Sequence, residues 1–195
     1  NDLAASVQNL YETKFLELLK YCEYSNIVIM GGCALNCVAN SKIPDRFNIW
    51  IMPSPGDAGS SLGAAALIEK KKIRWRHPYL GHNIIAEKEL NPKEIVQYLL
   101  ENKVCGVANG RAEFGPRALG NRSLLADPRG PEVKDMVNAI KKRQKFRPFA
   151  PSILEEHFDD YFVGRKNRYM QFVCKAKHDL KFLQNSLGFI DFPKF

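Results

Sequence analysis

Gly110-Arg-Ala-Glu-Phe-Gly-Pro-Arg-Ala-Leu-Gly-Asn-Arg-Ser-Leu-Leu-Ala-Asp-Pro-Arg129 sets four arginines, Arg111, Arg117, Arg122 and Arg129, on a glycine-punctuated loop that runs into a short apolar strand, Ser123 to Ala126. A guanidinium group is always charged and grips phosphate or carboxylate with a planar fork of donors. The glycines let a ligand approach the main chain, and Pro116 stiffens the turn in front of Arg117. Two readings stand side by side. The arginines bind an anionic ligand, or they pair with carboxylates such as Glu113 and Asp127.

Upstream of the loop, Val104-Cys-Gly-Val-Ala108 reads as a buried strand. Before it, Asn91-Pro92 starts a helix to about Asn102 that turns Ile95, Leu99 and Leu100 inward. Downstream, Gly130-Pro131 opens a helix over Glu132 to Lys142, with Val133, Met136, Val137 and Ile140 on one apolar face. Lys141, Lys142 and Arg143 in its last turn complement the helix dipole, or converge with Arg147 and Arg117 on a ligand. Ser152 to Leu154 and Met170 to Lys175 are expected as strands, with a helical link over Glu155 to Phe162. Beyond Lys177 no chemistry is legible.

At the other end, Leu3, Val7, Leu10, Phe15, Leu18 and Leu19 recur at helical spacing and predict an amphipathic helix to about Tyr21. Ile27-Val-Ile-Met30 is wholly apolar, as expected of a strand buried on both faces. Gly31-Gly32 comes next, and Ala34 to Ala39 reads as the opening of a helix. That order makes either an anion or nucleotide site or simply a tight strand–helix joint. Phe47 to Met52 is expected as a second strand, ended by Pro53-Ser-Pro-Gly56. Asp57 then stands at a helix start, where an aspartate caps free N–H groups. Ala58 to Ala66 is a small-residue helix suited to close packing. From Lys70 to Asn83 the chain turns charged, then aromatic and Pro/Gly-bearing, as a linker would.

The 195 residues carry 29 Lys+Arg against 21 Asp+Glu, a net charge of +8, so nucleic acid or a polyanionic small ligand are both open as partners. Part of the excess lies in solvated runs, Lys70-Lys-Lys72 and Lys141-Lys-Arg143. At 45% hydrophobic residues the chain can bury a core, and no apolar run approaches the roughly 20 residues that cross a bilayer. An odd cysteine count, five, set in apolar segments, points to reduced buried thiols in a cytoplasmic protein. Cys33 and Cys37 have helical spacing but lack a Cys or His pair to complete a metal site. The chain opens within an amphipathic pattern and without an initiator Met, as a piece of a longer protein would.

Four blocks together carry a resemblance. Gly31-Gly-Cys-Ala-Leu-Asn-Cys-Val-Ala-Asn40, Pro53-Ser-Pro-Gly-Asp-Ala-Gly59, Gly110 to Arg129 and Phe146-Arg-Pro-Phe-Ala-Pro-Ser152 resemble, in order and spacing, the O-carbamoyltransferases of the nodulation and antibiotic-tailoring type. The resemblance implies an α/β chain: the C-terminal part of an actin-like ATPase domain (1–72), a linker (73–84) and the start of a threonylcarbamoyl-AMP-synthase-like domain (85–195). It implies ATP-dependent transfer of a carbamoyl group from carbamoyl phosphate, by way of carbamoyl-adenylate, to a hydroxyl of a small-molecule acceptor.

By the same resemblance Gly31, Gly32 and Asn36 line the nucleotide, and Arg117, Lys141 and Arg143 act on the phosphates, supported by Arg111, Arg122 and Arg147. Asp57 ligates a divalent metal, iron or magnesium/manganese, with two histidines from an upstream segment. His77, His82, His157 and His178 do not reproduce that pair. A tRNA-modifying threonylcarbamoyl enzyme and a non-catalytic nucleotide- or anion-binding remnant are the rival readings. The Gly110 to Arg129 block is more similar to the small-molecule enzymes, which argues against nucleic acid.

Overall fold

Ile27 and Ile29 alternate with Val28 along the first strand, and the alternation decides which way the sheet faces. The computed structural model describes residues 2–85, 90–130 and 132–177. In it β1 (Asn26–Ile29) pairs in parallel with β2 (Asn48–Ile51), bringing Ile27 opposite Ile49 and Ile29 opposite Ile51. Ile27, Ile29 and Ile49 pack against Leu19, Ile43 and Phe47, with Phe15 and Leu16 of helix α1 (Asp2–Leu19). On the other face Val28 is 63% exposed and Trp50 46%, so among the described residues β1 is covered on one face and not both.

Helix α1 stops two residues before the expected end and turns a different face inward. Glu12, Phe15, Leu16 and Leu19 face the fold, while Leu3, Val7, Leu10 and Leu18 lie exposed. Polar tethers set that rotation. The buried Glu12 carboxylate pairs with Lys42, and the Gln8 and Asn36 amides exchange two hydrogen bonds.

After β2 the chain turns through Pro53–Gly56 and, beyond the short helix α2 (Cys37–Asn40) that precedes that strand, enters α3 (Asp57–Glu69). A Cβ at Gly59 would lie 1.9 Å from the Ser54 carbonyl oxygen, so only glycine allows this helix to sit against the turn. The N-cap is Gly56; Asp57, expected at the cap, is the first helical residue and its side chain makes no capping bond. Regular structure resumes at β3 (Asn83–Ile84), leaving residues 70–82 without helix or strand.

Helix α4 (Pro92–Asn102) begins as expected, with the Asn91 side chain accepting from the Lys93 N–H. It leads into β4 (Val104–Ala108), antiparallel to β6 (Arg122–Ala126), while β5 (Gly110–Arg111) pairs with β3. Helix α5 (Val133–Ile140) comes after β6. Pro131, expected to open it, and His178 with all later positions lie outside the described residues. The link expected over Glu155 to Phe162 is a 3-10 turn (Glu155–His157) joined to α6 (Phe158–Tyr161). The strands expected at Ser152 and Met170 are irregular instead; the pairing here is β7 (Phe162–Val163) with β8 (Lys175–Ala176). The molecule is thus a mixture of helices and strands of the α/β type. No described helix is long and apolar enough to cross a membrane.

Residues 165–174 return to the first strands. The Gln171 side-chain amide, 3% exposed, donates to the Ile51 and Met52 carbonyls at 2.9 and 3.1 Å. The fully buried Asn40 amide donates to the Ala34 and Gln171 carbonyls at 2.8 and 3.0 Å. Phe172 fills the space beside Ala34 and Ile51. Removing the Gln171 amide leaves two buried carbonyls unpaired, at about 1–3 kcal/mol each. Gln171→Leu is therefore expected to lower stability by about 2–6 kcal/mol, read as a lower urea midpoint. An unchanged midpoint would show that these bonds do not tie the two ends of the chain together.

Candidate functional site

The arginine loop between β5 and β6 is closed at its neck by one carboxylate. Glu113 Oε1 accepts the backbone N–H groups of Leu119, Asn121 and Arg122 at 2.8, 2.9 and 3.2 Å. The Asn121 side chain donates to the Arg111 carbonyl at 2.8 Å, and the Gly120 N–H donates to the Ser123 hydroxyl at 2.9 Å. Residues 78 and 79 add a collar: the Phe114 N–H donates to the Pro78 carbonyl, and the Tyr79 hydroxyl donates to the Leu119 carbonyl. Residues 114–118 form the tip.

Three of the four arginines are engaged inside the protein. Arg122 donates to the carbonyls of Asn109, Gly110, Asn121 and His82, holding the loop's base. Arg111 donates to the Leu80 and Gly81 carbonyls. Arg129 forks onto Asp127 with two bonds of 2.8 Å, and Lys103 joins the same carboxylate at 3.1 Å. The carboxylate pairing anticipated for this loop thus holds for Arg129, whereas Glu113 takes backbone donors instead of an arginine.

Arg117 differs. Its half-buried side chain has no hydrogen-bond or ion-pair partner among the described residues, and its Nε is buried without an acceptor. An unpaired buried donor on a permanent cation is costly, and an anion is its natural complement. Arg117 lies close enough to Cys37 for its charge to pull that thiol's pKa down, although burial is the larger effect and pushes it up.

The tip is seated on the first part of the chain. A Cβ at Gly115, whose φ is +144°, would come within 2.9 Å of the Pro53 carbonyl oxygen. The Pro55 carbonyl in turn accepts the Gly31 N–H at 2.7 Å. The glycine turn, the Pro53 turn and the arginine loop, far apart in sequence, are therefore neighbours. Ideal Cβ atoms at Gly31 and Gly32 meet nothing within 4 Å, so the turn has open space above it. Its first N–H is already engaged, and the turn leads into a 3-10 segment (Gly32–Leu35) and then the single helical turn of α2. Asn36 caps α2 by accepting the Ala39 N–H at 3.1 Å while bonding Gln8. Asp57 is exposed and has no described partner. No group of three or more His, Cys, Asp or Glu side chains with metal-site geometry occurs among the described residues.

Lys141 caps α5 and leaves its ammonium exposed. Arg143 is held: its guanidinium donates to the Asn138 side chain and the Pro148 carbonyl, and lies 4.2 Å from the centre of the Phe149 ring. Burial and then the nearby Arg147 charge lower its pKa. Asn138, fully buried, also donates to the Lys145 and Arg147 carbonyls, so it shapes the whole turn. Among the described residues no hydrogen bond, ion pair or ring contact joins this turn to Arg117. Glu113 and Asn138 hold the two cationic segments, and no motif in the sequence marks either of them for that role. An acidic residue alone in an arginine-rich loop is the trace that Glu113 leaves there.

The chain matches two family models in order, Carbamoyltransferase N-terminus over residues 1–66 and Carbamoyltransferase C-terminus over residues 96–187. It is 33% identical to the nodulation protein NolNO of Sinorhizobium fredii, over 97% of this chain and 33% of that protein. It is 34% identical to the nodulation protein NolO of Bradyrhizobium diazoefficiens, over 90% of this chain and 39% of that one. An uncharacterized protein of Synechocystis is 33% identical over 92% of this chain and 35% of its own length. The chain spans about a third of the length of these curated relatives.

Two measurements probe the frame of the site. Gly115→Ala brings strain of about 1–3 kcal/mol at its positive φ and a close approach to Pro53, so a lower melting temperature is expected. Asp127 has its carboxyl held well below the usual range, first by the Arg129 hydrogen bonds and also by Lys103, against burial that raises it. A lowered folded-state pKa stabilises the fold above the unfolded value of about 4, and the contribution disappears as pH falls below it. Asp127→Asn should be less stable than wild type at pH 7, with the gap narrowing below pH ~4. A gap that stays constant from pH 7 to pH ~2 would remove the ion pair from the account.

Proposed function

Because the chain belongs to the carbamoyltransferase family, we propose that it works in the ATP-dependent transfer of a carbamoyl group from carbamoyl phosphate to a hydroxyl of a small molecule. In this reading residues 1–72 are the C-terminal part of an actin-like nucleotide-binding domain. Residues 85–195 open a domain like the threonylcarbamoyl-AMP synthases, and 73–84 link the two. Water first cleaves carbamoyl phosphate to carbamate and phosphate. A carbamate oxygen then attacks the α-phosphorus of ATP, and pyrophosphate leaves. The acceptor hydroxyl attacks the carbamoyl carbon of the resulting carbamoyl-adenylate, gives up its proton to solvent, and AMP departs.

Such transfers need neutralised charge and fixed geometry more than covalent help. The observation that carries the reading is the unpartnered guanidinium of Arg117, held at a supported tip while its three neighbouring arginines are engaged. Arg117 and the exposed Lys141 bind the phosphates of carbamoyl phosphate and ATP. Arg143 and Arg147 add positive potential behind them. Arg111 and Arg122 serve by keeping the loop in shape. Gly31 and Gly32 leave room for the adenosine, and Asn36 maintains that turn through its cap.

The resemblance gives Asp57 to a divalent metal. Its carboxylate is exposed and makes no described bond, but one such donor does not make a metal site, and no group of three or more His, Cys, Asp or Glu side chains that could hold a metal occurs among the described residues.

Arg117→Ala in the complete enzyme should lower ATP-dependent pyrophosphate release by about 100-fold or more, with the fold intact by circular dichroism. Pyrophosphate release near the wild-type rate would remove Arg117 from the phosphate site. For Asp57→Asn, elemental analysis of the purified complete enzyme is expected to show loss of bound metal. Full metal content would leave Asp57 with only its place at the start of α3.

A further inference from the structure

Arg117 has no partner among the described residues, so the groups around it must hold it where it is. Its neighbours in sequence, Pro116 and Ala118, bring no polar anchor, and the guanidinium makes no described bond. The anchors lie on both sides of the tip. On one side Gly115 rests on the Pro53 carbonyl. On the other, the N–H groups of Leu119, Asn121 and Arg122 all converge on the single oxygen Glu113 Oε1, at 2.8 to 3.2 Å. Three donors on a carboxylate oxygen are charge-assisted bonds, roughly twice as strong as neutral ones. They close a ring from residue 113 to residue 122 with Arg117 near its middle.

We propose that Glu113 is the positioning residue of this site: its carboxylate gathers the backbone beyond Arg117 and thereby presents the Arg117 guanidinium to an anionic ligand. The inference rests on the reading of Arg117 as a phosphate-binding residue. In this role Glu113 acts through the backbone it gathers and not through contact with the anion. Its negative charge near the tip would by itself oppose anion binding, so a role through geometry and a role through charge predict opposite effects on removal.

The test is calorimetric binding of inorganic pyrophosphate to the complete enzyme and to four variants: Glu113→Ala, Glu113→Gln, Arg117→Ala and the double Glu113→Ala/Arg117→Ala. Glutamine keeps a carbonyl oxygen that accepts the same three N–H groups. Glu113→Ala is expected to weaken binding about tenfold, equivalent to about 1.4 kcal/mol, and Arg117→Ala by at least as much. The double variant should bind no more weakly than Arg117→Ala alone, because Glu113 acts through Arg117. Glu113→Gln should stay within about threefold of wild type, a rescue that separates acceptor geometry from charge.

Loss in Arg117→Ala with wild-type binding in Glu113→Ala overturns the inference about Glu113 alone. So does tighter binding in Glu113→Ala, or a further tenfold loss in the double variant. Wild-type binding in Arg117→Ala overturns the phosphate-site reading itself. A Glu113→Ala variant that fails to fold leaves Glu113→Gln to decide: unless it binds like wild type, the inference falls.

Discussion

The return of the Gln171 amide to the end of β2 is the contact on which the arrangement depends. A primary amide sealed from water is tolerated only when its donors find acceptors, and here they find the Ile51 and Met52 carbonyls. Those acceptors exist in one place, so the bond selects one docking of the chain's later part on its earlier part. Asn40 repeats the logic from the other side, bonding the Gln171 carbonyl. A purely apolar contact at Phe172 would provide burial without that directionality. Once this seam is set, the Pro53 turn, the glycine turn and the arginine loop are brought into contact.

Charge in the arginine loop is divided between holding and binding. A loop with four cations would repel itself if all pointed outward. The structure meets this by turning Arg122 and Arg111 onto backbone carbonyls and Arg129 onto Asp127. Glu113 supplies the remaining counter-charge within the loop, through backbone donors. Among the described residues this leaves the Arg117 guanidinium with unmet hydrogen-bonding capacity at a supported position. A binding residue on a loop is useful only when its frame is rigid, and here the frame is made by its arginine neighbours. The Lys141–Arg147 turn has the same pattern, with Asn138 and Phe149 holding Arg143 while Lys141 stays exposed.

Much of this was legible in the amino acids themselves. Asn91-Pro92 announced α4 because an Asn cap and a Pro in the first turn are local devices that need no partner. The β4 strand, Val104 to Ala108, was readable because a short apolar run between a helix and a glycine has few other fates. Where the sequence misled, a distant contact was responsible. The apolar residues Leu3, Val7 and Leu10 marked a helix but not its inward face, which the Glu12–Lys42 and Gln8–Asn36 tethers chose. Asp57 had the chemistry of a cap, yet Gly56 occupies that position because α3 begins directly off the Pro53 turn.

Residue type and spacing by themselves determined the α/β character, the position of the strong helices and strands, the family, and the loop in which an anion-binding arginine should be sought. Those are local properties: propensity, capping, periodicity and the order of four short blocks. Which of the four arginines stays unpaired could only be decided in three dimensions. Every guanidinium carries the same charge and the same donors, and its role depends on whether a carbonyl or carboxylate lies within about 3 Å once the chain has folded.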